Sequence, residues 1–254
     1  MNLLQSVIVD LLPVLVFADD TQLGQAAADD LAAILKDAVQ KNGETSIILA
    51  TGNSQLPFMK ALRQKNDLPW EHIYCFHMDE YIGMSDQHTA SFRRYIREQI
   101  VNHVNPKEFY GIQGDAVDIQ AELARYRRLL IEHPPVATVL GIGENGHLAF
   151  NDPPADFHTE AVIHVVDLDE ACRQQQVNEG HFPTLDFVPT QAISLTVPAL
   201  LATAHVLAIV PEKRKAAVVA RTLHGPVTPD CPASILRTFP HAKLYLDPES
   251  ASQL

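Results

Sequence analysis

Apolar residues along this chain fall into two alternating kinds of run. Short, dense, β-branched stretches recur at residues 14–17, 46–50, 73–78, 136–140, 162–166, 192–196, 206–210 and 244–246. Between them the apolar positions are spaced by three or four. Leu23, Ala26, Ala27, Leu31, Ile34, Leu35 and Val39 follow the capping residues Asp19, Asp20 and Thr21 and stop at Gly43, which predicts an amphipathic helix with a capped start and a glycine stop. Phe58, Met59 and Leu62 mark a second helix, residues 92–101 a third, and residues 116–133 a fourth, whose stripe is Ile119, Leu123, Tyr126, Leu129 and Leu130. A further helix runs to Leu223. Strands that read as continuous apolar runs are buried on both faces, and strands alternating with helices imply a mostly parallel sheet covered on both sides. Residues 7–11 are expected as a short edge segment, and residues 244–246 as the strand that closes the sheet. No linker, repeat or low-complexity tract interrupts the pattern, so residues 1–254 are expected to form a single domain.

Open α/β sheets bind ligands beyond the carboxyl ends of their strands, and four strand ends here carry polar residues. The first is Thr51-Gly52-Asn53-Ser54, leading into a helix. Unpaired N–H groups and hydroxyls at a helix start suit an anion, although an ordinary helix cap has the same look. Without a Gly-Lys-Ser/Thr it is not a Walker A loop. The second is Asp79-Glu80-Tyr81, two carboxylates at the end of residues 73–78. The third is the basic cluster Lys213-Arg214-Lys215 opening a helix after residues 206–210, to be weighed against solvated surface cations.

The fourth is the most distinctive, Gly141-Ile142-Gly143-Glu144-Asn145-Gly146-His147-Leu148-Ala149-Phe150-Asn151-Asp152-Pro153-Pro154. Three glycines after a buried strand predict a backbone approached closely by a ligand. Gly141, Gly143 and Gly146 match the spacing of a dinucleotide fingerprint, and Asp167 follows at about the ~20-residue distance of a ribose acid. That fingerprint requires a long helix from its third glycine, and Asn151, Asp152, Pro153 and Pro154 forbid one. What remains is a histidine, His147, flanked by the amide of Asn145 and the carboxylate of Asp152, a trio suited to proton transfer. The alternative is a histidine that only holds the turn.

Composition narrows the partners. A formal net charge of −12 excludes nucleic acid and anionic membranes, which need a basic surface, and leaves any anionic substrate to a local pocket. Cys75, Cys172 and Cys231 are far apart and form no metal-binding spacing, which points to a reduced, cytoplasmic location without disulfides or structural zinc. The apolar start lacks a basic n-region, carries Asp10 and meets Pro13, so neither a signal peptide nor a membrane span is expected.

Taken together, Ala50-Thr51-Gly52-Asn53-Ser54, His77-Met78-Asp79-Glu80-Tyr81-Ile82-Gly83, the glycine loop from Gly141 to Pro153, and Lys215 with its helix resemble the glucosamine-6-phosphate deaminase (isomerase) family. The similarity runs from about Val14 to the C-terminus. The related 6-phosphogluconolactonases typically read Gly-Asp-Glu-Arg in place of Met-Asp-Glu-Tyr and lack the Phe-Asn after Gly-His-x-Ala. The resemblance implies a three-layer αβα fold with a Rossmann-like sheet. It also implies a reaction, free of metal and cofactor, that turns glucosamine 6-phosphate or its galacto epimer into a ketohexose 6-phosphate and ammonia. By the same resemblance Asp79 is the base shuttling a proton between C1 and C2, and His147 the ring-opening acid/base. Asn145 and Asp152 stand where the family usually has Asp and Glu. Gly52, Asn53, Ser54 and Lys215 match the phosphate site, and Gly141 joins the substrate-binding set. Where the family has an arginine after the strand at 162–166, this chain has the polar residues 176–178 with Arg173 and His181 nearby; Arg173 and Glu80 complete the candidates. The expected partner is a phosphorylated amino sugar, and a homo-oligomer is left open. The competing readings are a lactonase-like hydrolase using His147 as base, and a sugar-phosphate sensor that keeps the pocket without turnover.

Overall fold

The computed structural model describes residues 2–254. Its strands are β1 (Leu3–Val9), β2 (Leu12–Phe17), β3 (Thr45–Leu49), β4 (Ile73–His77), β5 (Asp79–Tyr81), β6 (Glu108–Tyr110), β7 (Pro135–Leu140), β8 (Ile163–Asp167), β9 (Gln191–Leu195), β10 (His205–Val210) and β11 (Ala242–Leu246). Eight of them form one sheet in the order β1-β2-β11-β10-β7-β3-β4-β6, parallel throughout except for the β1/β2 hairpin. Alternate side chains of the central strands enter two separate cores. Ile47, Leu49, Cys75, Val139 and Ile209 pack with the helices Asp20–Asn42 and Leu56–Arg63 on one face. Ile48, Phe76, Leu140 and Ala208 pack with Ile119–Glu132 and Ala216–His224 on the other. The result is the expected three-layer αβα arrangement around a mostly parallel sheet. Each fully buried large apolar side chain in these cores stabilises the fold by roughly 1.5–3 kcal/mol of transfer free energy.

Local chemistry sets the element ends. Asp19 accepts from the Gln22 N–H at 2.7 Å to start the first long helix, and Gly43, at φ 81°, ends it by donating to the Val39 carbonyl. Asp118 caps the fourth helix by accepting from Ala121 N–H at 3.0 Å, so that helix begins at Ile119 rather than at 116. The helix expected at 92–101 is α-helical only over Phe92–Ile96, widens into a π turn over Arg97–Val101 and closes as Asn102–Val104.

Three expectations are corrected. The edge strand is Leu3–Val9, and residues 10–11 are the turn into β2. Strand β11 does not close the sheet but lies inside it, between β2 and β10; the edges are β1 and β6, and β6 is too short and too exposed to show an apolar run. Residues 162–166 and 192–196 do not join the main sheet. As β8 and β9 they form, with β5, a separate antiparallel sheet in the order β5-β9-β8. Strand β8 is only half-buried along most of its length, as befits a sheet with one face on the core. The polar stretch after β8, to which the pattern assigned no element, is a helix, Glu170–Asn178, started by Asp169, whose side chain accepts from Cys172 N–H.

Candidate functional site

Strands β10, β7, β3 and β4 are consecutive neighbours in the sheet, all parallel. The chain runs outward from β3 to β4 on one side and from β7 to β10 on the other. The gap between β3 and β7 is therefore the topological switch point at which such sheets open a crevice. The four loops singled out from the pattern are the ones that follow these four strands, and one cleft is lined by Gly52, Asn53, Ser54, Asp79, Gly141, His147 and Lys215.

The first loop is fixed by its conformation and by ties from Tyr95 and Gln55. Gly52 adopts φ 105°, a conformation that L side chains rarely adopt, and its carbonyl accepts from Tyr95 OH at 2.9 Å. Gln55, wholly buried, donates to Ser54 Oγ at 3.3 Å and to the Ile209 carbonyl at 3.2 Å, tying this loop to the end of β10. Lys215 is 4% exposed, reaches the cleft and forms no salt bridge or side-chain hydrogen bond among the described residues. Burial and the neighbouring Arg214 lower its pKa, and an anion entering here would favour its charged form again.

Asp79 sits on β5, 6% exposed, and its Oδ1 has no hydrogen-bond partner. Burial, together with the adjacent Glu80 carboxylate, holds its pKa well above the usual carboxylate range. A buried, unpartnered carboxylate facing a cleft is poised to accept a proton.

The glycine loop is built around its own histidine. A Cβ on Gly143 would stand 2.2 Å from the His147 ring, so the close approach expected of a ligand is made at Gly143 by the imidazole itself. No helix follows Gly146, in keeping with the rejected dinucleotide reading. His147 Nδ1 lies 3.1 Å from Asp152 Oδ1, which also accepts from Asn145 Nδ2 at 2.9 Å, while Asn145 Oδ1 accepts from His147 N–H at 3.0 Å. Burial would raise the Asp152 pKa, but the hydrogen bonds from His147 and Asn145 outweigh it and the net shift is downward. Asn145 thus fixes both the histidine's backbone and its carboxylate partner. Cys172 lies against this trio, with ligand atoms of His147, Asp152 and Cys172 all within 4.8 Å of one another.

Two candidates are displaced. Glu80 is fully buried away from the cleft, accepting from Ser91 Oγ at 2.8 Å and from the backbone N–H groups of Phe92 and Arg93 at 3.1 and 2.9 Å. It anchors the start of the Phe92–Ile96 helix and so places Ser91 and Phe92 in the cleft wall. Arg173 does not reach the cleft. Its guanidinium donates to the carbonyls of Leu185 and Val188 at 2.7 and 3.0 Å.

Further residues line the cleft from outside the strand-end motifs or without a distinct signal within them. Gln175, Gln176, Glu179 and His181 line the cleft, and so does Arg214, which donates to Glu179 and Glu212 at 2.6 Å each and to Glu144 at 3.2 Å. Burial would raise the Glu179 pKa, but hydrogen bonds from His181, Arg214 and Gln175 bring it down to about 2. Gln176 and His181 were visible as the polar replacement for the family's arginine. Nothing in the pattern distinguished Arg214 from its neighbours in the basic cluster.

Residues 18–245 match the sequence profile of the glucosamine-6-phosphate isomerases/6-phosphogluconolactonase family. The chain belongs to this family. A glucosamine-6-phosphate deaminase of Streptococcus uberis is 34% identical over 222 residues, covering 87% of this chain and 92% of that protein. One from Streptococcus pyogenes is 35% identical over 221 residues, with the same coverage. Among solved structures, one described as a monomeric glucosamine-6-phosphate deaminase superposes with a TM-score of 0.84 at 29% identity, covering 95% of this chain and 99% of its own. A 6-phosphogluconolactonase from Shewanella baltica superposes with a TM-score of 0.78 at 19% identity, over 95% of this chain and 99% of that one, a likeness of fold alone. The family match thus runs through the αβα body from the first long helix into β11.

Proposed function

We propose that this chain is an amino-sugar-phosphate deaminase/isomerase, acting on glucosamine 6-phosphate with the galacto epimer as second choice. The observation that carries the reading is the meeting, in one cleft, of a buried unpartnered carboxylate, Asp79, an oriented imidazole, His147, and an unpaired ammonium, Lys215. The phosphate sits on the Gly52–Ser54 loop and Lys215, and this remote contact orients the reacting carbons. His147 delivers a proton to the ring oxygen while the anomeric hydroxyl gives its own up to water, and the hemiacetal opens to a C1 aldehyde. Asp79 then takes the proton from C2 and returns it to C1 through an enol, which leaves an imine at C2. Water adds to that imine and ammonia departs, giving the 2-ketose, fructose 6-phosphate for the gluco sugar. Asn145 and Asp152 hold His147 in place. No step calls for a metal or cofactor.

The relatives named as glucosamine-6-phosphate deaminases support this choice over lactone hydrolysis, for which the likeness is one of fold. Asp79 speaks against a mere sensor, since a binder has no use for a proton shuttle. We also take the chain to act as one domain and to work in the cytoplasm; among the described residues no helix is long and apolar enough to cross a membrane. The test is a turnover panel of phosphorylated hexosamines with ammonia detection, run beside 6-phosphogluconolactone. Ammonia from glucosamine 6-phosphate is the expected result; lactone hydrolysis alone, or binding without turnover of any substrate, overturns the reading.

A further inference from the structure

The helix Glu170–Asn178 brings Cys172, 1% exposed, against the pair formed by His147 and Asp152. Among the described residues this is the one place where three different metal-ligating side chains converge, with donor atoms within 4.8 Å of one another. Asp152 uses only Oδ1 in its bonds to His147 and Asn145; its Oδ2 is buried and has no hydrogen-bond partner. We propose that His147 Nδ1, Asp152 and Cys172 Sγ form a binding site for a borderline-soft divalent cation of the zinc class, and that filling it switches the enzyme off.

Imidazole, carboxylate and thiolate together are a donor set for Zn2+ or Co2+ and not for Mg2+. Metal–ligand bonds of about 2.0–2.3 Å place tetrahedral ligand atoms roughly 3.3–3.8 Å apart, so a small inward movement of the three side chains completes the site. Asp152 Oδ2 is available without breaking the Asn145 contact, and the Cys172 thiol already bears on that carboxylate. Burial and the carboxylates of Asp152 and Asp169 make the Cys172 thiol reluctant to lose its proton; the cation reverses that balance, since binding forms a metal–sulfur bond and releases one proton to solvent. The cation also takes the Nδ1 lone pair and leaves the ring's proton on Nε2. The imidazole then no longer pairs with Asp152 and cannot accept a proton at its other nitrogen. Its entry route is the cleft, which His147 lines.

Cobalt tests the site directly, with Mg2+ as the hard-ion control. Adding Co2+ to the whole protein should produce tetrahedral visible bands and a thiolate-to-cobalt charge-transfer band. Both Cys172→Ser and Cys172→Ala should remove that band, and the second variant guards against a packing fault in the first. Zn2+ should inhibit turnover reversibly, with chelator restoring it, and the Cys172 variants should need about tenfold or more Zn2+ for the same inhibition. A cobalt spectrum without a thiolate band overturns the proposal, as does a band that survives in both variants and so belongs to Cys75 or Cys231. Equal zinc sensitivity in wild type and variants overturns the inhibitory role. The inhibitory half rests on the proposed part of His147 in deamination; the spectroscopic half does not, so failure of the activity assignment leaves the site itself under test.

Discussion

Asp79 buries a carboxyl whose Oδ1 meets no donor, and this shapes both its chemistry and its effect on the fold. Asp79→Asn should lower kcat by about 10²–10⁴-fold, since an amide cannot take the C2 proton, with little change in KM. It should also stabilise the protein. A carboxyl whose folded pKa is raised favours folding below its unfolded value of about 3.9 and loses that contribution as pH climbs through the folded value. Melting temperatures should therefore diverge in favour of the variant between acid and neutral pH; parallel curves would show that Asp79 is not held above its ordinary range. Glu80 is the second cause of that upward shift, after burial. Glu80→Gln should accordingly move the acid limb of the kcat/KM profile to lower pH, with burial keeping part of the shift. A limb that stays in place would remove Glu80 from the electrostatics of Asp79.

At the scale of elements, the loops after β3 and β7 divide the labour between holding and reacting. Gly143→Ala should collapse catalysis by driving a Cβ into the His147 ring, while inorganic phosphate still competes for the Gly52–Ser54 site. Joint loss of both would mean that the two loops are one mechanical unit. Lys215→Ala should weaken phosphate-bearing ligands by roughly 1.5–3 kcal/mol and leave the weak binding of the non-phosphorylated sugar unchanged, as titration of the two would reveal. The helix Glu170–Asn178 shows how an element decides what a motif cannot. Cys172, Gln175, Gln176 and Glu179 recur at helical spacing toward the site, while Arg173, one residue on from Cys172, turns to the carbonyls of Leu185 and Val188. Without that helix in view, Arg173 stands near the polar residues 176–178 in sequence and cannot be told apart from a residue that faces the cleft.

Across the whole molecule, stability should concentrate in the two cores of the central sheet and fade at its rim. Phe76→Ala, at a fully buried position on β4, should cost about 3–5 kcal/mol in denaturant unfolding. Ile8→Ser, 72% exposed on the edge strand β1, should stay within about 0.5 kcal/mol. Comparable losses at the two sites would mean that β1 is covered in solution. The same contrast separates what was legible in the chain from what was not. Strands β3, β4, β7 and β10 declared themselves because burial on both faces forces a continuous apolar run, and the site loops did so because helix starts, tight turns and proton transfer each demand particular side chains. Those demands are local, and local demands are written in adjacent residues. Which strands are neighbours is not. The interior place of β11, the departure of β8 and β9 into a second sheet, the seating of Glu80 behind the cleft, the arrival of Glu179 and Arg214 at it, and the seating of Cys172 against His147 and Asp152 all depend on pairings between residues far apart in the chain. Only the assembled tertiary structure settles those pairings, because the hydrogen bonds and buried contacts that select them do not exist until the distant segments have met.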